Sequence, residues 1–305
     1  MKFSVMITTR NRRDDLKRTL KVLETLSPAP HEILVCADAC DDDTVRMVHE
    51  DHRDVRLFEN PERLGSVASR RRLLAEATGD WVLSLDDDSY PLDLDFFEKA
   101  RRTVAEHPEA AVVCFHEQTA LPSGSQAPAP SSHRGRYVSA YANCGALMDL
   151  VFYRNQPGFP EFFEHMYEET DYALQCYAGG AAVWFEPSLT IRHHFSPAGR
   201  NEILRHQQNA RNELWSAWMR CPLPWTAPVS AFRALRQLRF ACTKGFGWAI
   251  REPVIWKQAL LGANRCLPLR RTVPWQIYQS WMKLARKPIY TLTELEGRFG
   301  IRRKN

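Results

Sequence analysis

The chain has 305 residues, of which 44% are hydrophobic and 25% charged; this excludes a low-complexity protein and allows a catalytic domain with a sizeable core plus a smaller appendage. Its net charge of +5 is unevenly divided, because residues 1–191 carry 20 Lys+Arg against 31 Asp+Glu, whereas residues 192–305 carry 21 against 5. We therefore expect metal chemistry in the acidic part and an anionic partner for the basic part.

Apolar runs in the sequence are short. The run at 3–8 is too short for a secretion signal, and no later run approaches the roughly 18 apolar residues of a membrane span. The eight cysteines form no CxxC pair and show no metal-ligand spacing, which predicts reduced, partly buried thiols. These features predict a cytoplasmic protein.

Strands and helices alternate in the first third of the chain. The patterns predict strands at 3–8, 32–37, 55–58 and 81–85, separated by helices at 14–26, 44–52 and 66–77. This alternation predicts an α/β fold with a mostly parallel central sheet flanked by helices, in which ligands bind at the carboxyl ends of the strands. Thr9, Asp38 and the acidic run at 86–88 lie at such ends.

The remainder of the chain is less regular. We predict a strand at 110–116, a loop at 120–135, a helix at 168–177, strand segments at 181–187 and 189–192, and helices broken by prolines from 201 onward. The predicted organisation is one domain over 1–200, with halves at 1–110 and 111–200, followed by a helical extension at 201–305.

Three consecutive carboxylates, Asp86, Asp87 and Asp88, end the predicted strand 81–85. Like charges there repel by about 4 kcal/mol per pair at 4 Å for an effective dielectric near 20, unless a cation or hydrogen-bond donors neutralise them. Mg²⁺ or Mn²⁺ with a diphosphate would do so, because such an ion takes one or two carboxylates and leaves other positions for phosphate oxygens. A solvated acidic turn is the alternative.

Six sequence elements follow one another in a fixed order: SVMITTRNR, LVCADACDDDT, Gly65 with Ser69-Arg70 and the AxGD at 77–80, LSLDDDS, YEETDYALQCYAGG and TIRHHF. Over about residues 1–220 these elements resemble the family 2 glycosyltransferases, nucleotide-sugar-dependent enzymes of the Rossmann-like GT-A fold. The resemblance implies a catalytic domain over 1–200, in which 1–110 bind the nucleotide-sugar donor, 111–200 form the acceptor half and the loop 120–135 shapes the acceptor site. The chain departs from the family pattern at Arg71, where Asn is usual, and at Gln175, where Arg is common.

The resemblance implies a site for the nucleotide-sugar donor made by Thr9, Arg10, Asn11, Asp38, Arg70, Asp86 and Asp87. Asp38 would accept a hydrogen bond from a nucleobase imide, although a turn-stabilising role is the alternative. Asp88 would bind the metal, and Asp86 would contact the donor or join the metal ligands.

A histidine would complete the metal site in this resemblance. Either His193 or His194 is the candidate, and only one should face the site, because adjacent residues of a strand point in opposite directions. A structural histidine is the alternative reading.

The acceptor hydroxyl needs a positioned carboxylate to take its proton. Glu169 occupies the catalytic-base position of the resemblance, with Glu168 as the alternative, and direct displacement would invert the anomeric configuration. An exposed acidic helix start is the structural alternative for both.

The basic region from Arg192 onward interleaves Arg and Lys with seven tryptophans. Such a surface can lie on an anionic membrane or pack its tryptophans on the catalytic core, and nucleic acid is a weaker candidate. A stretch at 206–222 resembles family members that act on lipid-linked acceptors, which favours peripheral contact with the cytosolic membrane face.

The resulting prediction is an inverting, metal-dependent glycosyltransferase. It would move a sugar from a UDP-, dTDP- or GDP-sugar to a hydroxyl of a polysaccharide, glycolipid or related acceptor. A non-catalytic scaffold of the same fold, binding a membrane or nucleic acid through 201–305, is the rival hypothesis.

Overall fold

A computed structural model describes residues 1–119, 134–194 and 201–303. These residues contain nine strands of one sheet: β1 (Phe3–Thr9), β2 (Glu32–Asp38), β3 (Arg56–Asn60), β4 (Trp81–Asp86), β5 (Ser89–Pro91), β6 (Ala110–Thr119), β7 (Arg136–Tyr137), β8 (Ala146–Asp149) and β9 (Ala182–His193). The predicted loop 120–135 lies outside the described residues except for its last two positions.

Helices flank the sheet and form the C-terminal part of the chain. The described residues contain twelve α-helices: α1 (Arg13–Leu23), α2 (Thr44–Asp51), α3 (Ser66–Glu76), α4 (Phe96–Glu106), α5 (Leu150–Arg154), α6 (Glu168–Ala178), α7 (Glu202–Arg220), α8 (Thr226–Lys244), α9 (Phe246–Ala249), α10 (Glu252–Leu261), α11 (Trp275–Leu284) and α12 (Leu292–Phe299). Among these described helices, none is long and apolar enough to cross a bilayer.

The sheet has the order β3-β2-β1-β4-β8-β6-β9-β5, with β7 paired to β9. The β3-β2-β1-β4 part is parallel, as the alternating pattern predicts. Beyond β4 the sheet is mixed, because β8 runs antiparallel to both β4 and β6 while β6 and β9 are parallel. The two segments predicted at 181–187 and 189–192 form the single strand β9, whose register shifts around Pro187.

Residues on both sides of position 200 share one hydrophobic core. β1 and β4 are buried along almost their whole length, as expected for strands covered by helices on both faces. Tyr177 of α6 stacks on Phe299 of α12 with ring centroids 4.4 Å apart. The Trp281 indole donates to the carbonyl of Ser139 at 2.9 Å. The helical extension therefore packs directly on the sheet half that carries α6.

All eight cysteines are free thiols, six of them buried. This agrees with the reduced state that the sequence predicts.

Candidate active site

The ends of β1, β2 and β4 meet at one edge of the sheet. Thr8 pairs with Asp86, and Thr9 pairs with Ala37, so the residues after these positions are neighbours. Thr9 Oγ1 donates to Asp87 Oδ2 at 2.9 Å. A cavity of about 700 Å³ opens over this edge, and its lining includes Thr9, Arg10, Arg12, Asp38, Gly65 and Asp87. Four of the seven predicted donor residues, Thr9, Arg10, Asp38 and Asp87, thus border one cavity.

Arg12 neutralises two of the three consecutive carboxylates. Its Nη1 lies 3.0 Å from Asp87 Oδ1, and its Nη2 lies 2.7 Å from Asp88 Oδ2. Burial raises the pKa of Asp87 to about 7, and the neighbouring charges of Asp88 and Asp86 add to the effect, although Arg12 opposes it. Arg12 is not among the site residues predicted from the sequence. The available signal was its position as the Arg that ends the SVMITTRNR stretch.

Asp86, Asp88 and His193 form a group that could hold a metal ion. One ligand atom from each lies within 4.8 Å of the others. Asp88 Oδ1 and His193 Nε2 are both buried and lie 3.1 Å apart, close enough for an ion pair when the ring is protonated, and neither atom has another hydrogen-bond partner. A carboxylate oxygen and an imidazole nitrogen that point at each other beside a third ligand fit a divalent cation, because the ion would bind both atoms once the ring has lost its proton.

Glu117 holds the imidazole of His193 from the other side. Its Oε1 hydrogen-bonds with Nδ1 of His193, which leaves Nε2 directed at Asp88. Metal-ligating histidines commonly have such a carboxylate partner. Burial lowers the pKa of His193, but its contacts with Asp88, Cys144 and Glu117 outweigh this and raise it to about 12. A bound metal would therefore displace a proton from this ring.

His194 points away from the carboxylates. Its ring hydrogen-bonds with the hydroxyl of Tyr90 at 2.8 Å, while its backbone N–H donates to the carbonyl of Asp88 at 2.8 Å. The orientation follows from the antiparallel pairing of Ser89 with His193, which fixes the face on which each side chain lies.

Arg70 connects the acidic strand end to the start of α6. Its guanidinium pairs with Asp86 and reaches Glu168 Oε1 at 3.4 Å, and its Nε is buried without a partner. Glu168 is buried, and Asn143 Nδ2 also donates to its Oε1 at 3.4 Å. Arg70 and Asn143 therefore hold one oxygen of Glu168 in place.

Glu169 differs from Glu168 in its surroundings. It is half-buried, and its Oε1 accepts only a long bond of 3.4 Å from the backbone N–H of Asn143. Burial, followed by repulsion from Glu168, raises the pKa of Glu169 to about 8. The ionised form of this group is a stronger base than an ordinary carboxylate, and it predominates above about pH 8.

The turn that leads into α6 is strained. Its residues with positive φ are Glu164, Met166 and Tyr167. Asn212 of α7 holds the turn, because its Nδ2 donates to the carbonyls of Phe163, His165 and Met166 at 3.1, 2.9 and 2.8 Å. Such strain persists only where surrounding contacts enforce it and is frequent at functional sites. The helical extension thus supports the turn before Glu169.

Asp38 organises the wall of the large cavity. Its carboxylate accepts from the backbone N–H groups of Leu64 and Gly65 and from the side chain of Asn60, each at 2.9 Å. A carboxylate offers about four acceptor positions, so about one remains for a ligand.

The other two candidates from the first loop differ in their contacts. Asn11 pairs with Asp41, accepting from its backbone N–H at 2.9 Å and donating to its carboxylate. Arg10 is exposed at the cavity.

The two departures from the family pattern have structural roles. Arg71 donates to the carbonyl of Phe159 at 3.0 Å and pairs with Glu161 at 3.0 Å. Gln175 is buried and donates to Asp171 at 2.7 Å. Arg220 of α7 supplies the cation for Asp171 at 2.9 Å.

The mixed α/β sheet, with a carboxylate pair, a histidine and an acidic helix start at its ligand edge, defines a glycosyltransferase of the GT-A class. The Glycosyl transferase family 2 profile matches residues 4–142. A curated relative, the uncharacterized glycosyltransferase YwdF of Bacillus subtilis (strain 168), is 26% identical over 209 residues, covering 66% of this chain and 77% of YwdF. Residues 4–142 thus form a family 2 glycosyltransferase domain, as the motifs of the sequence predict.

Solved structures show the same fold. S. aureus TarS 1-349 has a TM-score of 0.62 at 18% identity, covering 94% of this chain and 87% of that one. A mannosyltransferase from Pyrobaculum calidifontis, in complex with GDP-Man and Mn²⁺, has a TM-score of 0.56 at 18% identity, covering 93% and 86%. The match to a longer TarS structure spans 43% of that chain. The predicted GT-A fold is confirmed.

Proposed function

We propose that this enzyme transfers a sugar, with inversion, from a nucleoside diphosphate sugar to a hydroxyl of a polysaccharide, glycolipid or related acceptor. The observation that carries the proposal is the convergence of two buried ligand atoms, Asp88 Oδ1 and His193 Nε2, beside Asp86. Structural neighbours were solved with UDP-GlcNAc and with GDP-Man and Mn²⁺, which supports the donor class.

Asp86, Asp88 and His193 would hold Mn²⁺ or Mg²⁺ in this proposal. The ion would neutralise charge on the diphosphate leaving group. Glu117 would fix the imidazole through Nδ1. A nitrogen ligand favours Mn²⁺, because Mg²⁺ is a harder ion that takes oxygen ligands.

The donor would lie in the large cavity at the strand ends. Asp38 would use its remaining acceptor position for the nucleobase, while its other bonds hold the backbone at Leu64 and Gly65. Thr9, Arg10 and Asn11 would border the diphosphate, and Asp87 would remain structural through Thr9 and Arg12.

Glu169 would act as general base. Arg70 and Asn143 engage Oε1 of its neighbour Glu168. Glu169 is half-buried instead, and its raised pKa suits it to accept the proton of the acceptor hydroxyl as that oxygen attacks the anomeric carbon. Arg70 would keep the acidic pair in position and contact the donor through its position beside Asp86.

We also propose a cytoplasmic location with peripheral contact at the membrane. Eight free cysteines are typical of a reducing compartment. The excess of Lys and Arg from residue 192 onward suits an anionic surface.

A thermal-shift panel of UDP, GDP, dTDP and CDP, each with and without Mn²⁺, tests the donor and metal proposals. A nucleotide at 100 times its dissociation constant stabilises the folded state by about 2.7 kcal/mol. We expect one nucleotide to stabilise the protein strongly only with Mn²⁺, and Asp88→Asn to remove this shift. Asp54→Asn, an exposed aspartate, is the matched control. A metal-independent shift of equal size in both variants would contradict the assigned metal site.

Donor turnover tests the base. We expect Glu169→Gln to bind nucleotide normally and to lose transfer, whereas the exposed control Glu98→Gln keeps it. Transfer at the normal rate by Glu169→Gln would exclude this residue as the base.

A further inference from the structure

Exposed apolar side chains are concentrated on α8 to α10 and the turns beside them. Among the described residues, eleven of the seventeen exposed large apolar side chains lie within 223–267. Those that are more than two thirds exposed are Leu223 (77%), Phe246 (79%), Leu260 (68%), Leu261 (74%) and Leu267 (71%). Exposed apolar groups gathered in this way mark an interaction surface.

The helix α8 departs from the polarity of an ordinary surface helix, because it buries two polar side chains and exposes several apolar ones. Its buried face contains Arg233 and Gln237 as well as apolar residues, and Arg233 donates to the carbonyl of Glu213 at 2.7 Å. Its outward positions include Phe232 and Leu235. A helix of a monomeric protein normally directs its apolar stripe to the core and its charged residues to water. The exposed apolar side chains on the outward face of α8 therefore suit contact with a partner.

The charge of this region selects the kind of partner. Residues 214–293 contain thirteen Lys+Arg and one acidic residue, Glu252. Glu252 is fully buried and hydrogen-bonds with His206 at 2.6 Å, so it contributes no exposed negative charge. Arg239 and Lys257 are exposed among the apolar residues. Arg233 and Arg236 pair with Glu213, which is buried. A surface that combines exposed Leu and Phe with exposed cations such as Arg239 and Lys257 matches an anionic bilayer.

We propose that residues 223–267 form a membrane-docking face that binds an anionic lipid surface peripherally. The exposed Leu and Phe side chains enter the boundary between headgroups and acyl chains, and the Lys and Arg side chains contact lipid phosphates. Nucleic acid fits less well, because most of the exposed apolar residues are aliphatic and two candidate stacking rings, Trp225 and Trp275, stack on each other at 4.5 Å. The docking face is separate from the residues proposed for sugar transfer.

Vesicle cosedimentation of the full chain tests the proposal. The probes are vesicles of phosphatidylcholine alone and of equal parts phosphatidylcholine and phosphatidylglycerol. We expect at least about tenfold tighter binding to the anionic vesicles, weakening as salt is raised. Arg239→Glu and Lys257→Glu should each reduce binding by about fivefold or more, since each cation near such a surface contributes about that factor.

The apolar contribution is tested by Phe246→Glu and Leu267→Glu, which should abolish cosedimentation. Leu94→Glu and Val151→Glu are matched controls, because these residues are 62% and 66% exposed on the catalytic half. Phe246 lies on α9, which has no buried residue, so its substitution should leave the melting temperature unchanged.

Three results would overturn the proposal. They are no binding to anionic vesicles, equal loss in the control variants, and a dimer or RNA complex that Phe246→Glu disrupts while vesicle binding is absent. Vesicle binding and donor turnover are measured separately, so the failure of one proposal is distinguishable from the failure of the other.

Discussion

The ion pair between Arg220 and Asp171 joins the helical extension to the helix that carries Glu169. Arg220 Nη2 donates to Asp171 Oδ2 at 2.9 Å, and Nε donates to Oδ1 at 3.1 Å. Both side chains are buried, and Asp171 lies two residues after Glu169 in α6. Removing this pair tests whether residues 201–303 are an integral part of the catalytic unit.

Arg220→Met retains the apolar stem and removes the charge. Asp171 would keep its bonds from Ser216 and Gln175, both at 2.7 Å, but it would lose its cation. Removing one partner of a buried ion pair typically costs 3–5 kcal/mol, because the other charge stays buried. Since two neutral donors remain, we expect the lower end, a loss of about 3 kcal/mol in the free energy of unfolding.

Urea denaturation at neutral pH measures this loss through the midpoint and the slope of the transition. The matched control is Arg302→Met, which removes an exposed pair with Glu296 and should change the free energy by about 0.5 kcal/mol or less. The double variant Arg220→Met with Asp171→Leu should recover much of the loss, because apolar residues can replace a buried ion pair.

A loss below about 1 kcal/mol in Arg220→Met would refute the reasoning, because it would mean that the buried pair contributes no more than a surface pair. Two separate unfolding transitions in the unsubstituted chain would also count against it. They would show that the extension beyond residue 200 unfolds independently, as a strict division into 1–200 and 201–305 implies.

Three further outcomes follow from the site. The rate of transfer should rise with pH through about 8, because the raised pKa keeps Glu169 protonated below that pH. Glu169→Gln should lose this rise and should be slower by a factor of about 10²–10⁴. An unchanged pH profile in this variant would point to another base. His193→Ala should weaken Mn²⁺ binding in titration calorimetry at least about tenfold, and retained affinity would exclude His193 as a ligand. Asn212→Ala removes one donor from each of three carbonyls and should lower stability by about 1–3 kcal/mol, with kcat reduced more than nucleotide affinity. Equal losses in kcat and nucleotide affinity would limit Asn212 to a general structural role.

The ligand edge of the sheet could be predicted because the carboxyl ends of parallel strands meet there. Thr9, Asp38 and Asp86 each end a strand whose apolar run is visible in the sequence, and the structure brings them to one edge. The alternating pattern does not predict the sheet beyond β4, because the next strand, β8, is antiparallel to β4. In the described residues, no α-helix lies between β6 and β8 in the chain.

Contacts that depend on long-range pairing could not be predicted. Glu117 faces His193 because β6 lies beside β9, a pairing between residues separated by more than seventy positions. The pairing of β5 with β9 decides which of His193 and His194 faces the carboxylates. Alternation along a strand predicts only that the two side chains lie on opposite faces. The sequence could have indicated Arg12, which belongs to the first motif, but it could not have indicated the pairing of Arg12 with Asp87 and Asp88.

The charges of the site imply that metal and donor bind together. Asp86 and Asp88 attract a cation, but Arg12 and Arg70 lie against the same carboxylates and repel it. A diphosphate that binds without the ion is attracted by the arginines and repelled by the aspartates. An ion and a diphosphate that arrive together satisfy both sets of charges, so each should raise the affinity for the other by the same factor. Calorimetric titration of the nucleotide at several Mn²⁺ concentrations measures this coupling, and a nucleotide affinity that is independent of Mn²⁺ would contradict it.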